Sequence, residues 1–82
     1  MPKTLLLVDD DPDFLAGLTA PLSRRGYEVL TASSAAEGLR MARERKPDLF
    51  VLDVQMGDMD GYAMCAALKQ ADATFDPPVL FL

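Results

Sequence analysis

Four short apolar runs, separated by segments in which apolar residues recur at helical spacing, restrict the fold more than any other feature of the sequence. Runs of this kind are typical of strands buried on both faces, and such strands belong to parallel sheets covered by helices. Regular alternation of strand and helix indicates an α/β fold. The pattern therefore predicts a doubly wound parallel sheet with helices on both faces. Its strands are TLLLV at 4–8, YEVLTA at 27–32, DLFVLD at 48–53 and VLFL at 79–82.

Three helices are predicted between these strands. Asp11 precedes Pro12, the arrangement of an N-cap followed by proline at the first helical position. Residues 34–37 read Ser-Ala-Ala-Glu, a capping box that predicts the start of the second helix. The third helix is expected to run from about residue 61 to residue 70. Pro21 lies within the first helix and is expected to kink or tighten its last turn, because proline cannot donate a backbone hydrogen bond.

Carboxylates follow the first strand and end the third. Asp9 and Asp10 come directly after TLLLV, and Asp53 ends DLFVLD. Neighbouring parallel strands present their carboxyl ends at one edge of the sheet, so these three side chains converge if the first and third strands are neighbours. Close like charges raise each other's pKa values, and a hard divalent cation relieves the repulsion. The sequence therefore predicts a Mg²⁺ site here, whereas Asp58 and Asp60 are interpreted as loop and N-cap residues.

Composition narrows the classes of function. The 82 residues suit one small domain, and the net charge of −5 argues against a nucleic-acid-binding surface in this segment. The chain contains no histidine, so neither a His-based zinc site nor a Ser-His-Asp triad can be built from it. The single cysteine, Cys65, and the lack of a signal peptide or a long apolar segment predict a cytoplasmic protein without a membrane span.

Three stretches resemble, in register and in order, the receiver domain of two-component response regulators: LLLVDDDP at 5–12, YEVLTASSAAEGL at 27–39 and PDLFVLDVQMGDMDG at 47–61. The resemblance implies a flavodoxin-like fold and a signalling module rather than an enzyme. It implies that Asp53 accepts a phosphoryl group from the phosphohistidine of a sensor kinase or a phosphotransfer protein. It also implies a Mg²⁺ cofactor bound directly by Asp10 and Asp53, through water by Asp9, and by the backbone carbonyl of Gln55.

The sequence departs from this family in two places. Gly57 stands where the family usually has proline, and glycine leaves that loop freer to move. Members usually have about five strands and five helices in about 120 residues. We therefore expect residues 1–82 to form a C-terminally truncated receiver domain that lacks the last helix-strand-helix portion. The missing portion would include the family's switch Ser or Thr and its phosphate-contacting Lys, so switching is expected to be weak. The fourth strand, 79–82, would then be an exposed edge through which the chain can form a homodimer.

Two other functions fit parts of the sequence. A phosphohydrolase of the haloacid dehalogenase type would use Asp9 as its nucleophile, and Asp9-x-Asp11 fits the minimal motif of that family. Pro12 stands where that family has Gly-Thr, however, and Asp53 would go unused. The other alternative is a receiver-like scaffold that binds partners without being phosphorylated.

Overall fold

A four-stranded parallel sheet with helices on both faces forms the fold. The computed structural model describes residues 2–53, 57, 60–71 and 78–81. Its elements in chain order are β1 (Thr4–Val8), α1 (Pro12–Arg24), β2 (Glu28–Ala32), α2 (Ala35–Arg45), β3 (Leu49–Leu52), α3 (Gly61–Ala71) and β4 (Val79–Phe81). The strands lie in the order β2-β1-β3-β4, and all three pairings are parallel. The predicted doubly wound α/β arrangement is therefore confirmed.

The first strand lies inside the sheet, between β2 and β3. Leu7 of β1 pairs with Thr31 of β2 on one side and with Val51 of β3 on the other. Four of the five residues of β1 are buried, as its unbroken apolar run predicts. The predicted acidic site depends on β1 and β3 being neighbours, and their pairing brings the residues that follow them to the same edge of the sheet.

The first two helices begin at the cap residues that the sequence predicts. The Asp11 side chain accepts hydrogen bonds from the backbone N–H groups of Asp13 and Phe14. The Ser34 hydroxyl accepts one from the backbone N–H of Glu37. These bonds satisfy N–H groups in the first turn that have no partner inside the helix. Each cap therefore fixes the residue at which its helix begins.

The end of α1 is closed by backbone hydrogen bonds. Beyond Pro21, the backbone N–H of Arg25 donates to the carbonyl of Leu22, three residues earlier, at 3.1 Å. The N–H of Gly26 donates to the carbonyl of Ser23, also three residues earlier, at 3.0 Å. Together with the bond from the Tyr27 N–H to the Leu22 carbonyl at 3.3 Å and the left-handed φ of Gly26, these bonds form a Schellman motif that ends the helix at Gly26. The kink or tightening predicted from Pro21 stays a prediction.

The larger apolar core lies between the sheet and helices α2 and α3. Its buried members are Leu6, Val8, Ala32, Ala35, Ala42, Phe50, Leu52, Met64 and Leu68. Because successive side chains of a strand point to opposite faces, Leu5 and Leu7 face the other way, where α1 contacts the sheet and buries Leu15. Burial on both faces of β1, and on the face of β3 that carries Phe50 and Leu52, holds these two strands and the start of the loops that follow them.

The fourth strand forms one edge of the described sheet. It pairs with β3 in the described residues, and Leu80 is 54 % exposed. An exposed apolar edge strand can pair with another chain. The predicted homodimer through this strand stays a prediction.

Candidate functional site

The two strands that end in carboxylates continue their hydrogen bonding one residue beyond the strand. The backbone N–H of Asp9 donates to the carbonyl of Ala32 at 3.2 Å. The backbone N–H of Asp53 donates to the carbonyl of Val8 at 2.9 Å. The sheet therefore fixes the main chain of both aspartates, although neither lies inside a strand.

Three carboxylates meet at this edge of the sheet. One carboxylate oxygen from each of Asp9, Asp10 and Asp53 lies within 4.8 Å of the other two. Asp9 and Asp53 are partly buried, whereas Asp10 is exposed. The convergence predicted from the topology is thus present, with one face of the cluster open to solvent.

A local turn orients Asp9. Its carboxylate oxygen Oδ1 accepts a hydrogen bond from the backbone N–H of Asp11 at 3.0 Å, which folds the chain back over the end of β1. The carboxylate of Asp11 instead accepts from the first-turn N–H groups of α1. The three consecutive aspartates therefore have different roles. Asp11 caps the helix, as predicted, and Asp9 and Asp10 contribute to the cluster of carboxylates.

The pKa of Asp9 is raised above its ordinary value of 3.8. Burial is the largest cause, because it disfavours the charged carboxylate. The hydrogen bond from the N–H of Asp11 opposes this effect, whereas the negative charge of Asp53 and the hydrogen bond and charge of Asp10 raise the pKa further. The carboxylates of Asp10 and Asp53 are both negatively charged, so they repel the charged form of Asp9.

The donor set fits a hard divalent cation. In the described part of the chain, these three residues form the one group of acids close enough together to hold a metal ion. Mg²⁺ prefers oxygen ligands and usually combines one or two carboxylates with water and phosphate oxygens. An exposed side of the cluster leaves room for such additional ligands. The predicted metal site is therefore compatible with the geometry.

Four further residues between β3 and α3 in the sequence carry predictions. Asp60 caps α3, since its side chain accepts from the backbone N–H of Ala63 at 2.7 Å, as the N-cap interpretation predicts. Gln55 and Asp58 lie outside the described residues. Gly57 is exposed.

Sequence reasoning missed the contact that Gly61 makes with the site. A Cβ atom at Gly61 would lie 2.8 Å from the carbonyl oxygen of Asp53. The sequence offers one signal of this proximity, a glycine at the first helical position after an acidic loop, but spacing alone does not show what the glycine approaches.

The family of the chain follows from comparison with known proteins. Residues 5–82 match the family described as the response regulator receiver domain. The chain belongs to this family of phosphoacceptor signalling modules. The match spans nearly the whole sequence and favours the receiver assignment over the phosphohydrolase alternative.

Relatives with known roles are longer than this chain. The chain is 43 % identical, over all 82 of its residues, to the alkaline phosphatase synthesis transcriptional regulatory protein PhoP of Bacillus subtilis, of which it covers 33 %. It is 46 % identical over 78 residues to the transcriptional regulatory protein PrrA of Mycobacterium tuberculosis, again covering 33 % of that protein. The chain therefore spans about a third of the length of these curated relatives.

Solved structures agree with the fold. The N-terminal domain of a response regulator receiver protein from Methanoculleus marisnigri superimposes with a TM-score of 0.88 at 39 % identity, over 96 % of this chain and 64 % of that one. The chemotaxis protein CheY4 of Vibrio cholerae gives a TM-score of 0.91 at 28 % identity, over 99 % and 68 %. Within the described residues, none of the helices is long and apolar enough to span a membrane.

Proposed function

We propose that Asp53 is the phosphoacceptor of this receiver domain and takes its phosphoryl group from a phosphohistidine of a sensor kinase or a phosphotransfer protein. The observation that supports this assignment is the convergence of Asp53 with Asp9 and Asp10 at the carboxyl edge of the sheet. In this cluster Asp53 alone follows β3, whereas Asp9 and Asp10 follow β1, and the Asp53 residue is partly buried.

The transfer step forms one bond to phosphorus and breaks another. A carboxylate oxygen of Asp53 attacks phosphorus, the P–N bond of the phosphohistidine breaks, and the imidazole nitrogen leaves with the bonding electrons and takes up a proton. The product is an acyl phosphate on Asp53. The hydrogen bond between the Asp53 N–H and the Val8 carbonyl holds the main chain of the nucleophile during this step.

The cofactor that suits this step is Mg²⁺. Asp10 and Asp53 would bind it directly, Asp9 through water, and Gln55 through its backbone carbonyl. When bound, the ion supplies positive charge that neutralises the phosphoryl oxygens and offsets the repulsion among the carboxylates. Asp9 has a second task, because its hydrogen bond from the Asp11 N–H keeps the turn after β1 in place.

The partner of this segment is inferred to be a protein. The net charge of −5 and the acidic edge around Asp53 are unfavourable for a nucleic-acid phosphate backbone. A protein that carries a phosphohistidine would approach Asp53 from the side of the cluster on which Asp10 is exposed.

The test is phosphorylation by a small donor, followed by mapping. Acetyl phosphate with Mg²⁺ is expected to add one phosphoryl group, which mass spectrometry locates on Asp53, and EDTA is expected to prevent the reaction. Asp53→Asn should remove the label, whereas Glu44→Gln, which changes an exposed acid on α2, should retain it. A label on Asp9 would favour the phosphohydrolase alternative. A label that persists in Asp53→Asn, or a wild-type chain without any label, would refute the assignment.

A further inference from the structure

The first residue of α3 lies close to the backbone of Asp53. Gly61 is buried, and a Cβ atom added to it would lie 2.8 Å from the Asp53 carbonyl oxygen. The same Cβ would lie 3.1 Å and 3.3 Å from two carbon atoms of the Phe81 ring. Contacts below about 3.0 Å require something to move, and here the nearest atom belongs to the main chain rather than to a flexible side chain.

The need for glycine at this position is one of space and not of backbone conformation. Gly26 is the glycine with a left-handed φ, at 92°, among the described residues, and Gly61 does not share that geometry. An alanine at position 61 would therefore adopt the helical backbone without strain. Its only cost would come from displacing the Asp53 carbonyl or the Phe81 ring.

The Phe81 ring is partly buried and has packing partners of its own. Phe81 lies in β4, where it pairs with Leu52, the residue before Asp53. Its ring contacts the ring of Tyr62, with centroids 4.6 Å apart and planes tilted by 40°. Aromatic pairs at such distances stabilise each other, so the ring forms a supported wall behind Gly61.

The Asp53 backbone is therefore held from two directions. Its N–H is bonded to the Val8 carbonyl of β1, and its carbonyl lies against the first residue of α3. The direction of the carboxylate depends on this backbone, and Mg²⁺ requires ligand distances close to about 2.1 Å. A displacement of about 0.5 Å is enough to spoil such a site.

We propose that Gly61 is a positioning residue for the acceptor: its missing Cβ lets α3 begin against the Asp53 carbonyl, with the Phe81 ring as the other close neighbour. Gly61 acts through the Asp53 backbone and touches no ligand itself. The inference deepens the proposed function, because it names what fixes the nucleophile.

The test compares glycine-to-alanine variants at two helical positions. At Gly17, an exposed residue of α1, an added Cβ would meet no atom within 4 Å. Gly17→Ala is therefore the control for a methyl group added to a helix away from Asp53. Gly61→Ala should shift the ¹⁵N and ¹H amide signals of Asp53 in the metal-free protein and weaken Mg²⁺ binding about tenfold. Gly17→Ala should leave the Asp53 amide signals unchanged and the Mg²⁺ dissociation constant within about twofold.

A second variant covers the case in which Gly61→Ala does not fold. Phe81→Leu leaves Gly61 unchanged and removes the ring wall, so it should also shift the Asp53 amide signal and weaken Mg²⁺ binding about threefold. Leu80→Ala, which changes the adjacent exposed residue of β4, should do neither. A folded Gly61→Ala protein with an unchanged Asp53 amide signal and unchanged Mg²⁺ affinity would overturn the proposal, as would an unaffected Phe81→Leu.

The amide signals separate this proposal from the proposed function. They are recorded without metal or phosphodonor, so they report on the Asp53 backbone whether or not Asp53 accepts a phosphoryl group. A wild-type chain that acetyl phosphate fails to label would refute the acceptor assignment, and the Asp53 amide shift in Gly61→Ala would still decide the positioning role.

Discussion

The repulsion among the three site carboxylates predicts that Asp9→Asn stabilises the metal-free protein. Two unit charges 4.8 Å apart repel by roughly 0.9 kcal/mol at the dielectric constant of water. Asp9 takes part in two of the three carboxylate pairs, those with Asp10 and Asp53. Asp9 and Asp10 are also neighbours in the unfolded chain, so only part of their repulsion is created by folding. The expected gain in the free energy of unfolding is therefore about 1–2 kcal/mol at low salt.

Salt and metal change this gain in ways that identify its cause. At an ionic strength of about 0.15 M the Debye length is about 8 Å, which reduces the gain by roughly half. Asparagine retains an oxygen that can accept the hydrogen bond from the Asp11 N–H, so the turn after β1 survives the substitution. Bound Mg²⁺ stabilises the wild type through the same carboxylates, and saturating Mg²⁺ should therefore cancel or reverse the advantage of the variant.

The assay is urea unfolding of the wild type and Asp9→Asn in EDTA at pH 7, at low and at physiological salt. Glu44→Gln serves as the control, because it removes an exposed acidic charge on α2 and should change stability by less than about 0.5 kcal/mol. An Asp9→Asn variant that is no more stable than the wild type at either salt concentration would refute the reasoning. A gain that does not depend on salt would also refute it.

Acid should abolish the difference. The pKa of Asp9 is raised in the folded state, so its unfavourable contribution is present above that pKa and disappears as the pH falls through it towards and below 3.8. The stability of the wild type and that of Asp9→Asn should converge on acidification. Divergence at low pH would contradict the direction of the shift.

Three further predictions concern the cap, the metal and the sheet edge. Asp11→Ala removes the acceptor for two N–H groups of α1 and should lower the free energy of unfolding by about 1 kcal/mol; an unchanged urea midpoint would contradict the capping role. Adding Mg²⁺ at ten times its dissociation constant should raise the unfolding free energy of the wild type by about 1.4 kcal/mol, and chelation should remove the gain. Asp53→Asn should lose most of this response, and a full response would show that the ion binds elsewhere. The 82-residue chain is expected to self-associate through β4, and Leu80→Lys should shift its sedimentation towards the monomer; a wild-type chain that sediments as a compact monomer would refute this.

The topology and the acidic cluster could be predicted because both follow from simple periodic patterns. The apolar run at Thr4–Val8 indicates a strand buried on both faces, and strand-helix alternation makes the sheet parallel. Parallel strands share one carboxyl edge, so Asp9, Asp10 and Asp53 could be placed together without coordinates. The local caps at Asp11 and Ser34 were equally accessible, since a cap depends on residues within one turn.

The close approaches at Gly38 and Gly61 could not be predicted, because they depend on how elements distant in the chain pack. Gly38 lets α2 approach β1 and α3, and nothing within a few residues of it identifies Val8 or Met64 as its neighbours. Gly61 approaches Asp53 and a ring of β4 for the same kind of reason. Periodicity identifies which face of a helix is buried, but the distance between two backbones is decided by the side chains of both partners.

The most direct test of the central claim is a titration of the ¹⁵N-labelled protein with Mn²⁺, a paramagnetic ion that broadens the signals of nearby amides. If Asp9, Asp10 and Asp53 form a single cation site, their amide signals should broaden together at the lowest Mn²⁺ concentrations and recover when Mg²⁺ competes. The amides of Glu44 and Asp48, acids outside the site, should be unaffected at those concentrations. Broadening that begins at Glu44 or Asp48, or that separates Asp53 from Asp9 and Asp10, would contradict the account.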